Sequence, residues 1–285
     1  MNDIGFFEAY FLWRNAMAAA VVAAALCGYL GVFIVLRRMA FVSAALSQVS
    51  GLGVALSFFV GSFLGVDPHG ELVPWYVSPL FLALLLSCAA SMLLALPGRA
   101  RRAHPETLVA LAYLAASAAV VLVLASPRIV QEAHEVGELL FGSAVAVREQ
   151  NLLALAAAAV VVAVVHGLLW KDFVYVSFDR ETAASVGYPV ARLEAALNLT
   201  IAVAVAMATR ALGTLPVFAF LVLPAGAALL VARRLWSAGV LAVAIAMVSA
   251  VLGYYLSFIY QLPTGPTMAA LCALAWVPAA LLRRK

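Results

Sequence analysis

Long apolar runs without charge recur along this chain, separated by short stretches where arginine, proline, glycine and acidic residues gather. The runs are Asn15–Leu36, Met39–Val66, Leu72–Gly98, Thr107–Pro127 and Gln150–Trp170. A weaker one, Leu193–Leu212, carries Glu194 and Arg210 at its edges, and Ala211–Ala232 follows it. Leu235–Leu282 is a 48-residue stretch. About 20 apolar residues cross the hydrocarbon core as a helix, so this last stretch is too long for one crossing. Gln261-Leu-Pro-Thr-Gly-Pro266 divides it, because proline and glycine end helices. The pattern predicts an all-α polytopic membrane protein, a bundle of about nine transmembrane helices, with eight to ten compatible with the run lengths. Residues 1–285 form one transmembrane domain in this reading.

Composition agrees. Hydrophobic residues make up 67% of the 285 positions and charged ones 11%, against about 25% charged in an ordinary soluble domain. The mean hydropathy is +1.10. A soluble fold of this size has no core large enough for that much apolar surface. Cys27, Cys88 and Cys272 all lie inside apolar runs and are odd in number, so no disulfide framework is expected. The first residues, Met1–Glu8, are acidic where a signal peptide needs basic ones, so no cleaved leader is expected.

The net charge of +4 suggests nucleic acid only until the basic residues are placed. Alternation along nine spans puts Arg37, Arg38, Arg99, Arg101, Arg102, Lys171, Arg180, Arg192, Arg233, Arg234, Arg283, Arg284 and Lys285 on one side, 13 of the 17 Lys and Arg. Arg14, Arg128, Arg148 and Arg210 fall on the other. The positive-inside rule makes the first side cytoplasmic, with the N-terminus outside and the C-terminus inside. The outer side then carries eight acidic residues, among them Asp67, Glu71, Glu132, Glu135 and Glu138. That face is either ordinary solvated loop or a surface that attracts cations or a docking partner. The basic residues mark topology, and no nucleic-acid partner is expected.

No loop is long enough to be a catalytic domain. The longest is Ser126–Glu149, whose middle, Val130–Phe141, has the spacing of a short interfacial amphipathic helix. The two lysines, Lys171 and Lys285, belong to no GxxxxGK[ST] phosphate loop. GxSxG, HExxH and GxGxxG are absent as well. No catalytic residue and no cofactor bound by this chain is expected, and ATP hydrolysis, if any, falls to another polypeptide.

Between the fifth and sixth spans, Val176-Ser-Phe-Asp-Arg-Glu-Thr-Ala-Ala-Ser-Val-Gly-Tyr-Pro-Val190 reads as a short cytoplasmic helix. Asp179 suits its N-cap, since a carboxylate accepts the free backbone N–H groups of a first turn. Gly187 suits the C′ position, where positive φ is needed, and Pro189 stops continuation. Helical spacing groups Ala183, Ala184 and Val186 with Phe178 and Tyr188. A capped, semi-polar helix of this kind fits a socket on a soluble motor as well as it fits an interfacial loop with no further role.

Several segments together carry a family resemblance: Val35-Leu-Arg-Arg-Met-Ala-Phe41, Glu106-Thr107, Leu139-Leu-Phe-Gly-Ser143, Ser177–Gly187, Leu221-Val-Leu-Pro-Ala225 and Leu262-Pro-Thr-Gly-Pro266. In this order, over nearly the whole chain, they resemble the permeases of ABC importers for zinc, manganese or iron. The resemblance implies a prokaryotic plasma (inner) membrane protein that works by alternating access. It implies pairing with a second permease copy or paralogue, and a cytoplasmic ATP-binding subunit that holds ATP and Mg. It further implies an extracytoplasmic solute-binding protein and a divalent metal cargo. The coupling helix to the ATPase would be about 177–187, with Phe178, Asp179, Ala183, Ala184, Val186 and Gly187 as its contact residues.

The same resemblance places a Gly-Asp-x-x-x-His motif in the second span, whose Asp and His would be metal ligands. On this chain Gly-Asp falls on Ser43-Ala44 and the His on Gln48. Aspartate and histidine suit manganese and zinc, alanine offers nothing, and glutamine offers a neutral amide oxygen. The transport-pathway residues expected here are therefore Ser43, Ser47, Gln48, Ser50 and Glu106. Ser43, Ser47, Gly51 and Ala55 also form a four-residue stripe that suits close helix packing. Gln48 needs a polar or aqueous surrounding. Glu106 aligns with an acid the family often has, and it also suits a helix N-terminus in any protein. His134, Glu135 and His69 are weaker metal candidates in outer loops. His166 reads as a packed or interfacial histidine, and Arg210 as a snorkelling arginine.

Three readings stay open on the residues. An ABC permease carries a metal, a chelate or another cargo. A stand-alone secondary transporter or channel would show paired intramembrane acids or inverted halves. An intramembrane enzyme would need a nucleophile with a base, and no such pair is visible.

Overall fold

The computed structural model describes residues 10–66, 74–95, 105–127 and 147–283. The outer-loop candidates His69, His134 and Glu135, the Val130–Phe141 segment and the Arg99–Arg102 cluster lie outside the described residues. Among the described residues twelve helices and no strands are present. They are α1 (Tyr10–Leu36), α2 (Ala40–Leu64), α3 (Pro79–Ala95), α4 (Pro105–Leu124), α5 (Glu149–Leu168), α6 (Trp170–Phe178), α7 (Arg180–Ser185), α8 (Val190–Leu212), α9 (Thr214–Val231), α10 (Leu235–Tyr260), α11 (Thr264–Leu274) and α12 (Trp276–Arg283).

Among the described residues eight stretches are long and apolar enough to cross a membrane, with α11 and α12 together making one of them, and α3 is a shorter apolar helix of 17 residues. The expected all-helical bundle is therefore present, with eight candidate crossings among the described residues. Helix boundaries shift where tertiary partners intervene. The sixth crossing begins at Val190 rather than Leu193, so Glu194 lies inside the helix, where arginines neutralise it. The fifth run, expected to continue to Trp170, breaks at Leu169, and α6 turns away as a separate helix. The long C-terminal stretch divides at the predicted place. Gln261 adopts left-handed backbone at φ 53°, and the Ser257 hydroxyl pins the turn by bonding the Leu262 carbonyl at 2.6 Å and Thr264 Oγ1 at 3.1 Å. A second break, at Ala275 between α11 and α12, precedes Pro278, which has no N–H to bond the Leu274 carbonyl.

The helices sort into a centre and a periphery. In α1, α2 and α8, 67% of the best apolar window is buried inside the bundle, against 17% in α4 and α5. Helix α1 is the axis and packs on α10, α9, α5 and α8. Small residues make this approach close. Ala16, Ala19, Ala20, Ala23 and Ala24 are fully buried, and at Gly31 an added Cβ would stand 2.0 Å from the Leu221 carbonyl oxygen of α9. A second group packs α2 on α3 and α4, closest where Gly53 meets the backbone of Ala83. With no water excluded between helices in lipid, such backbone contact is what holds them together.

One polar cluster sits in the bundle interior. His166 of α5 is buried among Tyr29, Phe33 and Phe173. The Thr200 hydroxyl donates to the Leu197 carbonyl, so its oxygen accepts from His166 Nε2, 2.9 Å away. Nδ1 then accepts the Tyr29 hydroxyl at 3.2 Å. Both ring nitrogens are satisfied by a neutral imidazole, and His166 is a packing residue, as its position in the fifth run predicted.

Candidate functional site

Helix α7 is short, exposed and closed at both ends. The Asp179 carboxylate accepts the Thr182 backbone N–H at 3.0 Å and its hydroxyl at 2.5 Å. These bonds hold the Asp179 carboxyl below its ordinary range, with the hydroxyl bond foremost. At the other end the Tyr188 N–H bonds the Ala183 carbonyl and the Gly187 N–H bonds the Ala184 carbonyl. That pair is the Schellman arrangement, and Gly187 takes φ +92° to make it. The Tyr175 and Tyr188 rings lie 5.3 Å apart beneath the loop.

The residues grouped there by helical spacing part company. Ala183 is fully buried and anchors the helix to the bundle. Ala184 is exposed, as are Phe178 and Val186, each 64% accessible. Phe178, Ala184 and Val186 are thus exposed apolar side chains on and beside a polar helix, while Ala183, a helical step of about 100° from Ala184, is turned into the bundle.

Two cavities flank the start of α2. The first, about 850 Å³, opens at the end of the bundle that carries Arg37, Arg38 and Arg180. Its wall includes Ser43, Ser91, Glu106, Glu194 and Asn198. Glu194 of α8 pairs with Arg37 at 3.0 Å and with Arg180 at 3.3 Å. Arg37 Nη1 also reaches Asn198 Oδ1 at 3.5 Å, and Ser91 of α3 donates to the Asn198 carbonyl at 2.9 Å. Burial works against the charged form of Arg37, and Glu194 opposes that effect. None of this network was anticipated: its arginines counted only as topology markers. The signal available was Glu194 itself, an acid inside an apolar run that needs a cation beside it.

The second cavity, about 1010 Å³, lies between α2, α4 and the start of α9. Its wall is largely apolar, with polar groups from Ser47, Gln48, Glu106, Tyr113, Ser117 and Thr214. Phe41, Glu106 and Val109 border both cavities. Of the five pathway candidates, Ser47, Gln48 and Glu106 line the second cavity, while Ser43 lines the first. Gln48 is half-buried. Ser43 and Ser47 are buried and satisfied along their own helix, bonding the Ala40 and Ser43 carbonyls. Ser50 lines neither cavity. It is fully buried, and its hydroxyl finds no partner among the described residues. It stands about 20° round the helix from Ser43 and about 60° from Ser47, but about 10 Å further along α2 than Ser43, past the stretch that borders the first cavity. No group of three or more metal-ligating side chains occurs among the described residues, so the second cavity offers a cation neutral oxygens and one carboxylate.

A bundle of membrane-crossing helices, with cavities beside its second helix and an exposed capped helix at its basic end, defines the class as a membrane-spanning transport subunit. The chain belongs to the ABC 3 transport family, whose profile matches residues 9–283, and it is accordingly a permease of an ABC transporter. It is 26% identical over 278 residues to the "Manganese transport system membrane protein MntC" of Listeria monocytogenes, covering 97% of this chain and 92% of that one. It is 27% identical over 255 residues to the "Manganese import system permease protein ScaB" of Streptococcus pneumoniae, covering 88% and 84%. To the "Chelated iron transport system membrane protein YfeC" of Yersinia pestis it is 24% identical over 269 residues, covering 94% and 83%. Its fold matches "PsaBC from Streptococcus pneumoniae in complex with Fab" with a TM-score of 0.81 at 21% identity, over 96% of this chain and 94% of that one. It also matches the inward-facing conformation of a putative metal-chelate type ABC transporter, with a TM-score of 0.73 at 15% identity, over 99% and 90%.

Proposed function

We propose that this permease imports a divalent metal ion across a prokaryotic plasma membrane by ATP-driven alternating access. The observation that carries this reading is the position of Gln48 and Glu106 on one cavity wall between α2 and α4, in a chain that resembles manganese permeases over nearly its full length. An extracytoplasmic binding protein delivers the ion at the acidic side. A cytoplasmic ATP-binding subunit docks on Phe178, Ala184 and Val186 of the α7 region and supplies the ATP and Mg. A second permease, identical or related, completes the path. The clustering of Arg37, Arg38, Arg180, Arg192, Arg233 and Arg234 supports a cytoplasmic placement of that end.

Within the path, the Gln48 amide oxygen stands where the resemblance puts a histidine, and the Glu106 carboxylate faces the same cavity. A path lined with neutral oxygens and a single carboxylate binds weakly and releases readily, which favours passage over capture. Gln48→Ala removes one oxygen from the cation's surroundings. Transport should fall roughly tenfold, the worth of one bond to a charged group, with the assembled complex recovered in normal yield by size-exclusion chromatography. Unchanged transport would take Gln48 off the path.

The reading is tested by reconstituting the permease with its ATPase and binding protein in liposomes and titrating Mn²⁺, Zn²⁺ and Fe²⁺. Stimulated ATPase activity and uptake of one ion are expected. A second reading, a chelated cargo, draws on Ala44 and Gln48 standing where the resemblance puts aspartate and histidine. A stable complex that ignores all bare ions and responds to a metal chelate would favour it.

A further inference from the structure

We propose that Glu194 is a positioning residue that ties helix α7 to the start of α2, so that motion at the ATPase reaches the helix that carries Gln48. The proposal rests on α7 as the docking element. One carboxylate joins three parts of the chain. Its Oε1 accepts from Nη2 of Arg37, immediately after α1, at 3.0 Å. Its Oε2 pairs with Nη2 of Arg180, the first residue of α7, at 3.3 Å. Glu194 itself stands in the second turn of α8. Arg37 precedes α2 by three residues, and Gln48 follows two turns further along that helix.

The two arms differ in a way that suits a link. The Arg37–Glu194 arm is shielded, with side-chain exposures of 12% and 16%, while Arg180 is 62% exposed. Breaking one side of a shielded pair leaves a charge without compensation, so that arm holds its geometry. A pair as exposed as the outer arm adds little to stability. Its significance lies in where it is attached: the peptide N–H groups of Thr182, Ala183, Val186, Gly187 and Tyr188 bond within the loop, to the Asp179 carboxylate and to the Asp179, Thr182, Ala183 and Ala184 carbonyls, and Ala183 is the buried contact of α7. Arg180 thus gives α7 a charged tether to the body of the bundle. The inner arm is braced in turn, because Arg37 bonds Asn198 one turn beyond Glu194, and Ser91 of α3 bonds the Asn198 carbonyl. All of these side chains border the 850 Å³ cavity, so a shift of α7 alters the wall of the cytoplasmic mouth.

The test compares Arg180→Gln, Glu194→Gln, the double variant and Glu194→Asp. Hydrogen exchange of the permease alone in nanodiscs reads the tether without the ATPase. Exchange at the amides of Ala183, Val186, Gly187 and Tyr188 should quicken about threefold in Arg180→Gln and at least as much in Glu194→Gln. The double variant should match Glu194→Gln, and Glu194→Asp should recover part of the protection. In the complex with the ATPase, both Gln variants should keep the ATPase bound while ions moved per ATP fall roughly fivefold. Unchanged α7 exchange in both single variants would overturn the proposal, as would additive effects in the double variant. Since Arg180→Gln alters an exposed side chain, the result does not hinge on whether Glu194→Gln folds. Failure of the docking reading looks different: the ATPase would stay bound and coupled to an Ala184→Asp permease, whatever the exchange rates.

Discussion

An Ala184→Asp permease is expected to reach the membrane folded and to lose its ATPase. Ala184 is exposed on α7, beside Phe178 and Val186, whose side chains are each 64% accessible. In the isolated permease the added carboxylate points into water and costs little, since surface substitutions away from special features stay within about 0.5 kcal/mol. In the docked complex it is carried into an apolar contact with no cation opposite. A charge left uncompensated at an interface costs about 3–5 kcal/mol, which weakens binding roughly a hundredfold or more. Co-purification should therefore fail, and ATP-driven uptake should disappear with it. Ala183→Asp separates docking from folding. Ala183 is fully buried against the bundle, so that variant should perturb the permease itself, visible as a lowered melting temperature, whereas Ala184→Asp should melt like the parent. If Ala184→Asp retains a stoichiometric, transport-competent ATPase, α7 is not the docking element.

Gly31→Ala is expected to be the most destabilising single methyl group in the bundle core. A Cβ built on Gly31 stands 2.0 Å from the Leu221 carbonyl oxygen, 2.9 Å from the carbonyl carbon and 3.1 Å from the Ala225 Cβ. Ordinary carbon–oxygen contact lies at about 3.3 Å or beyond, so α1 and α9 must separate by more than about 1 Å. The obstacle is backbone, which no rotamer change removes, and the opposing helix holds Pro224 in its interior. Helix α1 is the axis of the bundle, so its displacement spreads to α10, α5 and α8. Overpacking costs typically 1–3 kcal/mol, and this site belongs at or above the upper end. A fall of roughly 10 °C in the melting temperature of the detergent-solubilised protein is expected. Gly239→Ala in α10 is the control: an added Cβ there meets nothing within 4 Å, and the helix gains a better former. Equal melting of the two variants would mean that α1 and α9 are not held by this contact.

The pattern of apolar runs carried the architecture. Hydropathy over 20 residues is a property of the chain alone, because the lipid surroundings demand it of each crossing separately. The runs therefore predicted the crossings and the break at Gln261–Pro266. The same is true of local devices. Asp179 as N-cap and Gly187 at positive φ were legible because capping joins residues only a few positions apart. Legibility failed where a feature depends on distant partners. Glu194 read as the ragged edge of a weak run, since its two arginines lie 157 and 14 positions away. At the Ala275 break Pro278 is a local signal, whereas the bond from Trp276 to the Leu223 carbonyl of α9 spans 53 positions.

The candidate site divides along the same line. That Ala44 and Gln48 stand where the family resemblance puts aspartate and histidine is a statement about residue identity, legible without the fold. Which polar residues share a cavity is a statement about helix rotation and depth in the bundle. Ser43, Ser47 and Ser50 look equivalent as letters in one apolar run. Yet Ser47 borders the cavity with Gln48, Ser43 borders the other, and Ser50 is shut inside. Residue type and spacing settle what each helix must bury and where it must stop, since those costs are met residue by residue against water or lipid. The rotation of α2, the inward turn of Ala183 and the meeting of Arg37, Arg180 and Glu194 emerge only when helices pack. They are set by backbone contact at Gly31 and Gly53 and by charge pairs between segments far apart in the chain, and neither leaves a periodic trace along it.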